Sequence, residues 1–72
     1  MKFSIFKLNE NLHHISDDQF GLIGRFRRID NSWKFHYIGT KWMKMTYAQN
    51  TALLEFIREP LVLLNITARL LK

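Results

Sequence analysis

The clearest pattern in the chain is a period of two. Over residues 20–29 (FGLIGRFRRI) and 33–38 (WKFHYI) apolar and polar side chains alternate, which predicts two strands. Asp30-Asn31 lies between them, and both residue types tolerate positive φ, so the pair predicts a hairpin turn. A two-residue loop opposes Arg28 to Trp33, Phe26 to Phe35 and Gly24 to Tyr37 on one face, and Arg27 to Lys34 and Arg25 to His36 on the other. A three-residue loop would mix the faces, because a one-residue slip inverts every side chain. The hairpin is therefore expected to turn an aromatic face to the core. Its other face is cationic, with Ile23 and Ile38 at the far end. Like charges directly opposite one another destabilise a sheet, so packing alone does not call for Arg27 beside Lys34.

Residues 2–8, KFSIFKL, predict another strand, with Phe3 and Ile5 on one face and Phe6 and Leu8 on the other. Residues 9–19 are polar and read as a loop, with Ser16 and Gln19 at capping-box spacing for a single helical turn. Residues 41–45, KWMKM, extend the sheet or lead into a helix. Thr46 and Gln49 repeat the capping-box spacing and predict a helix over 47–58, with Ala48, Ala52, Leu53, Phe56 and Ile57 on its buried stripe. Pro60 ends or kinks that helix. Residues 61–71 fit either period. Length and leucine content favour a helix, which sets Leu63, Ile66, Thr67 and Leu70 opposite Asn65, Arg69 and Lys72. Gly21 and Gly24 mark a bulge or a close backbone approach rather than a phosphate loop. The expected fold class is α+β: a small antiparallel sheet of three or four strands packed on one or two C-terminal helices, in a single compact domain over residues 1–72.

Composition sharpens this picture. A chain of 72 residues buries only about 60% of the surface its unfolded form exposes. Its 47% hydrophobic and 14% aromatic content still argues for a filled core rather than disorder. The absence of cysteine excludes a disulfide scaffold and a cysteine zinc site. No apolar stretch approaches the roughly 20 residues of a membrane span. Lys7 and Asn9 interrupt the first apolar run, which does not fit a secretory signal. The expectation is a cytoplasmic protein with no membrane partner. The net charge of +5 is concentrated: residues 25–44 hold Arg25, Arg27, Arg28, Lys34, Lys41 and Lys44 against Asp30 alone. Such a local excess suits a polyanion or an acidic protein surface.

Catalytic chemistry has little support. His13, His14, Asp17 and Asp18 would offer metal ligands at i, i+4 spacing on a helix, but no third anchor lies near, and a solvated polar loop explains them better. Ser4, Ser16 and Ser32 sit in no recognised nucleophile setting, and Glu55 and Glu59 beside Arg58 fit a charged helix face. The expected activity is binding without catalysis, metal or cofactor.

The candidate binding residues are Arg25, Arg27, Lys34, His36, Lys41, Trp42 and Lys44. The cations would meet phosphates and displace counterions, and Trp42 would stack on bases. Nucleic acid or a nucleoprotein is the first expected partner. The order strand, strand, strand, helix is similar to that of small DNA-binding domains of the plant ethylene-response and integrase arm-binding types. The likeness is one of architecture, without shared motif residues, and implies a sheet that reads the major groove. The alternative is a protein-binding inhibitor or accessory factor. In its small size, basic charge, aromatic content and lack of cysteine the chain resembles phage and mobile-element accessory proteins that block a host enzyme, here through an acidic protein surface. Leu61, Val62, Leu63, Leu64, Ile66, Leu70 and Leu71 are more aliphatic side chains than a small sheet can cover. They predict a homodimer through the C-terminal segment, or a partner groove.

Overall fold

The computed structural model describes residues 1–70; Leu71 and Lys72, and the expectations made for them, lie outside the described residues. Four strands form an antiparallel meander in the order β1 (Phe3–Asn9), β2 (Leu12–Asp17), β3 (Gly21–Ile29), β4 (Ser32–Tyr37). A 3-10 turn, Lys41–Lys44, then leads to one helix, α1 (Tyr47–Leu70), laid across one face of the sheet. The arrangement is α+β, as expected. None of the described helices is long and apolar enough to cross a membrane.

The β3–β4 hairpin has the register its alternation predicts. Arg28 pairs with Trp33, Phe26 with Phe35, Gly24 with Tyr37, Arg27 with Lys34 and Arg25 with His36. Asp30 and Asn31 take φ of 54° and 64°, the left-handed pair that matches the twist of a two-residue hairpin. Phe26 is fully buried, and Trp33 is 6% exposed. Phe35 and Tyr37 are half-buried and continue the aromatic row, with ring centroids 5.0 Å apart. Gly24 makes room for this row. A Cβ there would stand 2.6 Å from the Phe35 ring, so the ring occupies the space that any other residue would fill.

Strand β2 replaces the expected loop and helical turn at residues 9–19. Its inward positions are His13, Ile15 and Asp17, and only Ile15 is aliphatic, which hides the strand's period. Burial is made good by other means. The His13 ring lies 4.8 Å from that of Trp33. Asp17, 4% exposed, accepts hydrogen bonds from the amides of Gln19 and Phe20 at 2.9 and 3.0 Å. It thereby shapes the turn into β3, which closes on Gly21 at φ 75°.

The β2–β3 ladder slips between Ile15 and Ser16, so that Ile15 pairs with Gly24 but Ser16 with Leu22. Ile23 is the extra residue of this bulge. An extra residue reverses the alternation, and Ile23 is fully buried beside Ile15 and Phe26. Its expected place on the cationic face is thus corrected.

Thr46 and Gln49 cap the helix reciprocally: the Gln49 amide donates to Thr46 Oγ1 at 3.1 Å and the Thr46 amide to Gln49 Oε1 at 2.8 Å. Pro60 does not end the helix. It removes one intrahelical donor, but Leu53 and Ile57 before it and Leu64 and Ala68 after it all pack on the sheet and hold the two halves in one rod. At about 1.5 Å per residue the helix is roughly 36 Å long and sets the 39 Å length of the molecule.

The helix is rotated from its expected orientation. Ala48 and Ala52 are exposed, and Phe56, 36% exposed, meets only the edge of the core at Phe3, centroid to centroid 5.3 Å. In the C-terminal half Asn65, expected on the outer side, turns inward. Its Oδ1 accepts from the Trp33 amide at 2.7 Å and its Nδ2 donates to the Trp33 carbonyl at 3.2 Å. These are the outward-facing backbone groups of the edge strand, which require partners when covered. Asn65 supplies both in the manner of a fifth strand, and Leu63, Ile66 and Leu70 are left in solvent.

Candidate nucleic-acid interface

The register carries one row of side chains across all four strands on the face away from the helix: Phe6 opposite His14, His14 opposite Arg25, Arg25 opposite His36. The next row holds Leu12, Arg27 and Lys34. Alternation sets Arg25 and Arg27 about 6.8 Å apart along β3. Arg27, Lys34 and His36 are exposed and Arg25 is half-buried. Among the described residues no element packs on this face, and Phe6 is 55% exposed there.

The cations of this face have no ion-pair partner among the described residues, where the one ion pair is Lys7 Nζ to Glu10 Oε1 at 3.0 Å. Arg25 Nε is also shielded from solvent without a hydrogen-bond acceptor. An arginine donor left unpartnered is a local cost. The centre of the face thus carries concentrated positive charge that the fold itself does not neutralise.

Four of the seven expected binding residues, Arg25, Arg27, Lys34 and His36, come together here. The other three do not. Lys41, Trp42 and Lys44 lie in the 3-10 turn, which is bound to the helix side of the sheet. The Trp42 ring stacks on Tyr37, an inner-face residue, at 4.7 Å and 24°. Asn50 fixes the turn from the helix, donating from Nδ2 to the Trp42 and Met45 carbonyls at 3.3 and 3.4 Å while its Oδ1 accepts from the Tyr37 hydroxyl at 3.2 Å. Trp42 is therefore a packing residue of the β4–helix junction. Phe6 and His14 join the face unforeseen, because their place depends on β2.

The helical i, i+4 arrangement that would have made ligands of His13, His14, Asp17 and Asp18 is not formed, because residues 12–17 are a strand. On a strand His13 and His14 point to opposite faces, and among the described residues no three metal-type ligands cluster. His13 instead borders a cleft of about 450 Å³ between β1–β2 and the helix, lined mostly by apolar side chains such as Ile5, Trp33 and Leu64. Burial holds the His13 pKa below its usual 6.5, with Lys7 adding to the effect and Glu10 opposing it. Of the charged side chains that line it, Lys7 and Glu10 pair with each other, and Arg28 has no ion-pair partner among the described residues.

No protein-family model matches the chain, and neither the curated proteins nor the solved structures contain a significant match to it.

Proposed function

We propose that the uncovered face of the sheet binds nucleic acid, single strands in preference to duplex. The observation that carries this reading is the pairing of Arg27 with Lys34 and of Arg25 with His36 on an open face, next to Phe6 and His14. Juxtaposed cations weaken a bare sheet, and an approaching phosphate chain turns that cost into binding energy by releasing counterions. Phe6 and the two histidines offer flat rings on which bases stack. Width favours the single strand. Four strands at about 4.8 Å spacing span roughly 14 Å, more than the major groove of about 12 Å admits, whereas an extended single strand lies across a flat sheet without such a limit.

Titration of labelled oligonucleotides at several salt concentrations tests the reading. Binding to single strands should weaken by about 0.7 log units per log unit of salt for each phosphate contacted. Changing Arg25, Arg27 and Lys34 together to Gln should flatten that slope by roughly two and leave the circular dichroism unchanged. Absence of binding to single strands and duplex at low salt overturns it.

A second reading has one observation in its favour. Ile29 is an exposed aliphatic side chain on the same face, 46%, which phosphates do not need and an acidic protein surface with an apolar centre would use. On that reading the chain is an inhibitor or accessory factor, and its complex survives moderate salt.

A further inference from the structure

The C-terminal half of α1 carries four large aliphatic residues on the outside. Val62, Leu63, Ile66 and Leu70 are 53, 55, 46 and 80% exposed, while Asn65, on the flank of the helix that meets β4, holds the edge strand. The outward residues are ordered. Glu55, Glu59, Val62, Ile66 and Arg69 follow one another at spacings of four, three, four and three. At about 100° per residue this is one narrow stripe, with the spacing of a two-helix coiled-coil seam. Leu53, Ile57 and Ala68, the buried residues of the helix, lie on the other side, so the described residues leave this seam uncovered. Leu63 and Leu70 flank it and widen its apolar part.

We propose that the seam pairs with the same seam of a second copy, antiparallel, in a two-fold dimer. Charge selects both the occupant and the direction. From its N-terminal to its C-terminal end the seam runs acidic, acidic, aliphatic, aliphatic, basic. A parallel pair would set Glu59 on Glu59 and Arg69 on Arg69, which is repulsive at both ends. An antiparallel pair crossing at residue 64 sets Val62 against the partner's Ile66 and Glu59 against the partner's Arg69, and the two-fold axis repeats both contacts. The stripe is thus complementary to itself, as an isologous interface requires, and charge at the flanks of an apolar seam is what fixes orientation in helix pairs. A chain this short gains most from such an arrangement, because it cannot bury these side chains alone.

The dimer has a consequence for the sheet. The cationic face lies on the side away from the helix, so two copies joined helix to helix present their cationic faces in opposite directions. This consequence rests on the function proposed above, under which one dimer holds two strands. The self-association does not.

Sedimentation equilibrium of the intact chain without nucleic acid tests the pairing. The parent should reach the dimer mass within the micromolar to sub-millimolar range. Ile66→Glu should stay monomeric at the same concentrations with an unchanged circular dichroism spectrum, since Ile66 is solvent-exposed in the single chain. Glu59→Arg and Arg69→Glu should each weaken association by at least about tenfold, and the two together should restore it. A parent that remains monomeric overturns the proposal and frees the seam for another protein. A dimer indifferent to Ile66→Glu, or a double charge reversal that fails to restore association, overturns it as well. Oligonucleotide binding retained by monomeric Ile66→Glu would separate this result from the fate of the sheet-face reading.

Discussion

Phe26 and Arg27 are neighbours in sequence, and Phe35 and Lys34 are their partners across the hairpin, yet the two pairs live in different solvents. Phe26 is fully buried, its ring 6.3 Å from that of Phe35. Arg27 and Lys34 stand exposed on the other side of the same two strands. The pleat alone makes this separation. The comparison shows how a very small fold keeps stability and recognition from interfering. Beyond the Ile23 bulge, alternate residues of β3 and β4 turn to the core, and the residues between them are free to carry a charge pattern that packing would never select. The helix divides its labour in the same way, with Asn65 inward on the edge strand and Val62 and Ile66 outward.

The sharpest way to break the comparison is to strike each face in turn. Phe26→Ala should cost about 3–5 kcal/mol, the usual range for a buried phenylalanine, which for a chain of this size approaches the whole stability. Urea melts would measure it. The triple change of Arg25, Arg27 and Lys34 to Gln should move the same melt by about 0.5 kcal/mol or less, or raise it slightly by relieving like-charge pairs. Comparable losses from the two faces would mean that the outer cations are structural.

A smaller effect concerns pH and belongs to the inner face. The folded-state pKa of His13 lies below 6.5 because burial and Lys7 disfavour its charged form. Between the two pKa values the unfolded chain binds more protons than the folded one, so stability rises with pH there. The contribution is fully present above about pH 6.5 and is lost as the pH falls through the folded-state value. Thermal melts from pH 7.5 down to 5 should therefore decline more steeply for the parent than for His13→Gln. Parallel curves would show that His13 titrates alike in both states.

What the sequence made legible follows the same division. The hairpin is readable because both signals are local: a strict period of two and a turn pair, Asp30-Asn31, with one register that keeps the faces clean. The Thr46–Gln49 cap is local too. Strand β2 is not readable, since its inward residues include His13 and Asp17, whose burial depends on Trp33, twenty residues beyond His13, and on the amides of the turn that follows Asp17. The bulge at Ile23 and the inward turn of Asn65 are likewise tertiary events, and each overrides the polarity that pattern alone would assign. The candidate site inherits this. Arg25, Arg27, Lys34 and His36 could be placed from the hairpin register, while Phe6 and His14 needed β2. Trp42 looked available for stacking because nothing in its neighbourhood discloses that the 3-10 turn folds back onto Tyr37.

The central claim, that the uncovered sheet face is the recognition surface, is tested most directly by chemical-shift mapping. A short unlabelled single-stranded oligonucleotide would be titrated into isotope-labelled protein at low salt. The account predicts shifts concentrated at Phe6, His14, Arg25, Arg27, Lys34 and His36, with the inner row of Phe26, Phe35 and Tyr37 and the helix seam at Val62 and Ile66 scarcely moving. Shifts centred on the helix or on the turn around Trp42, or none at all, would contradict it.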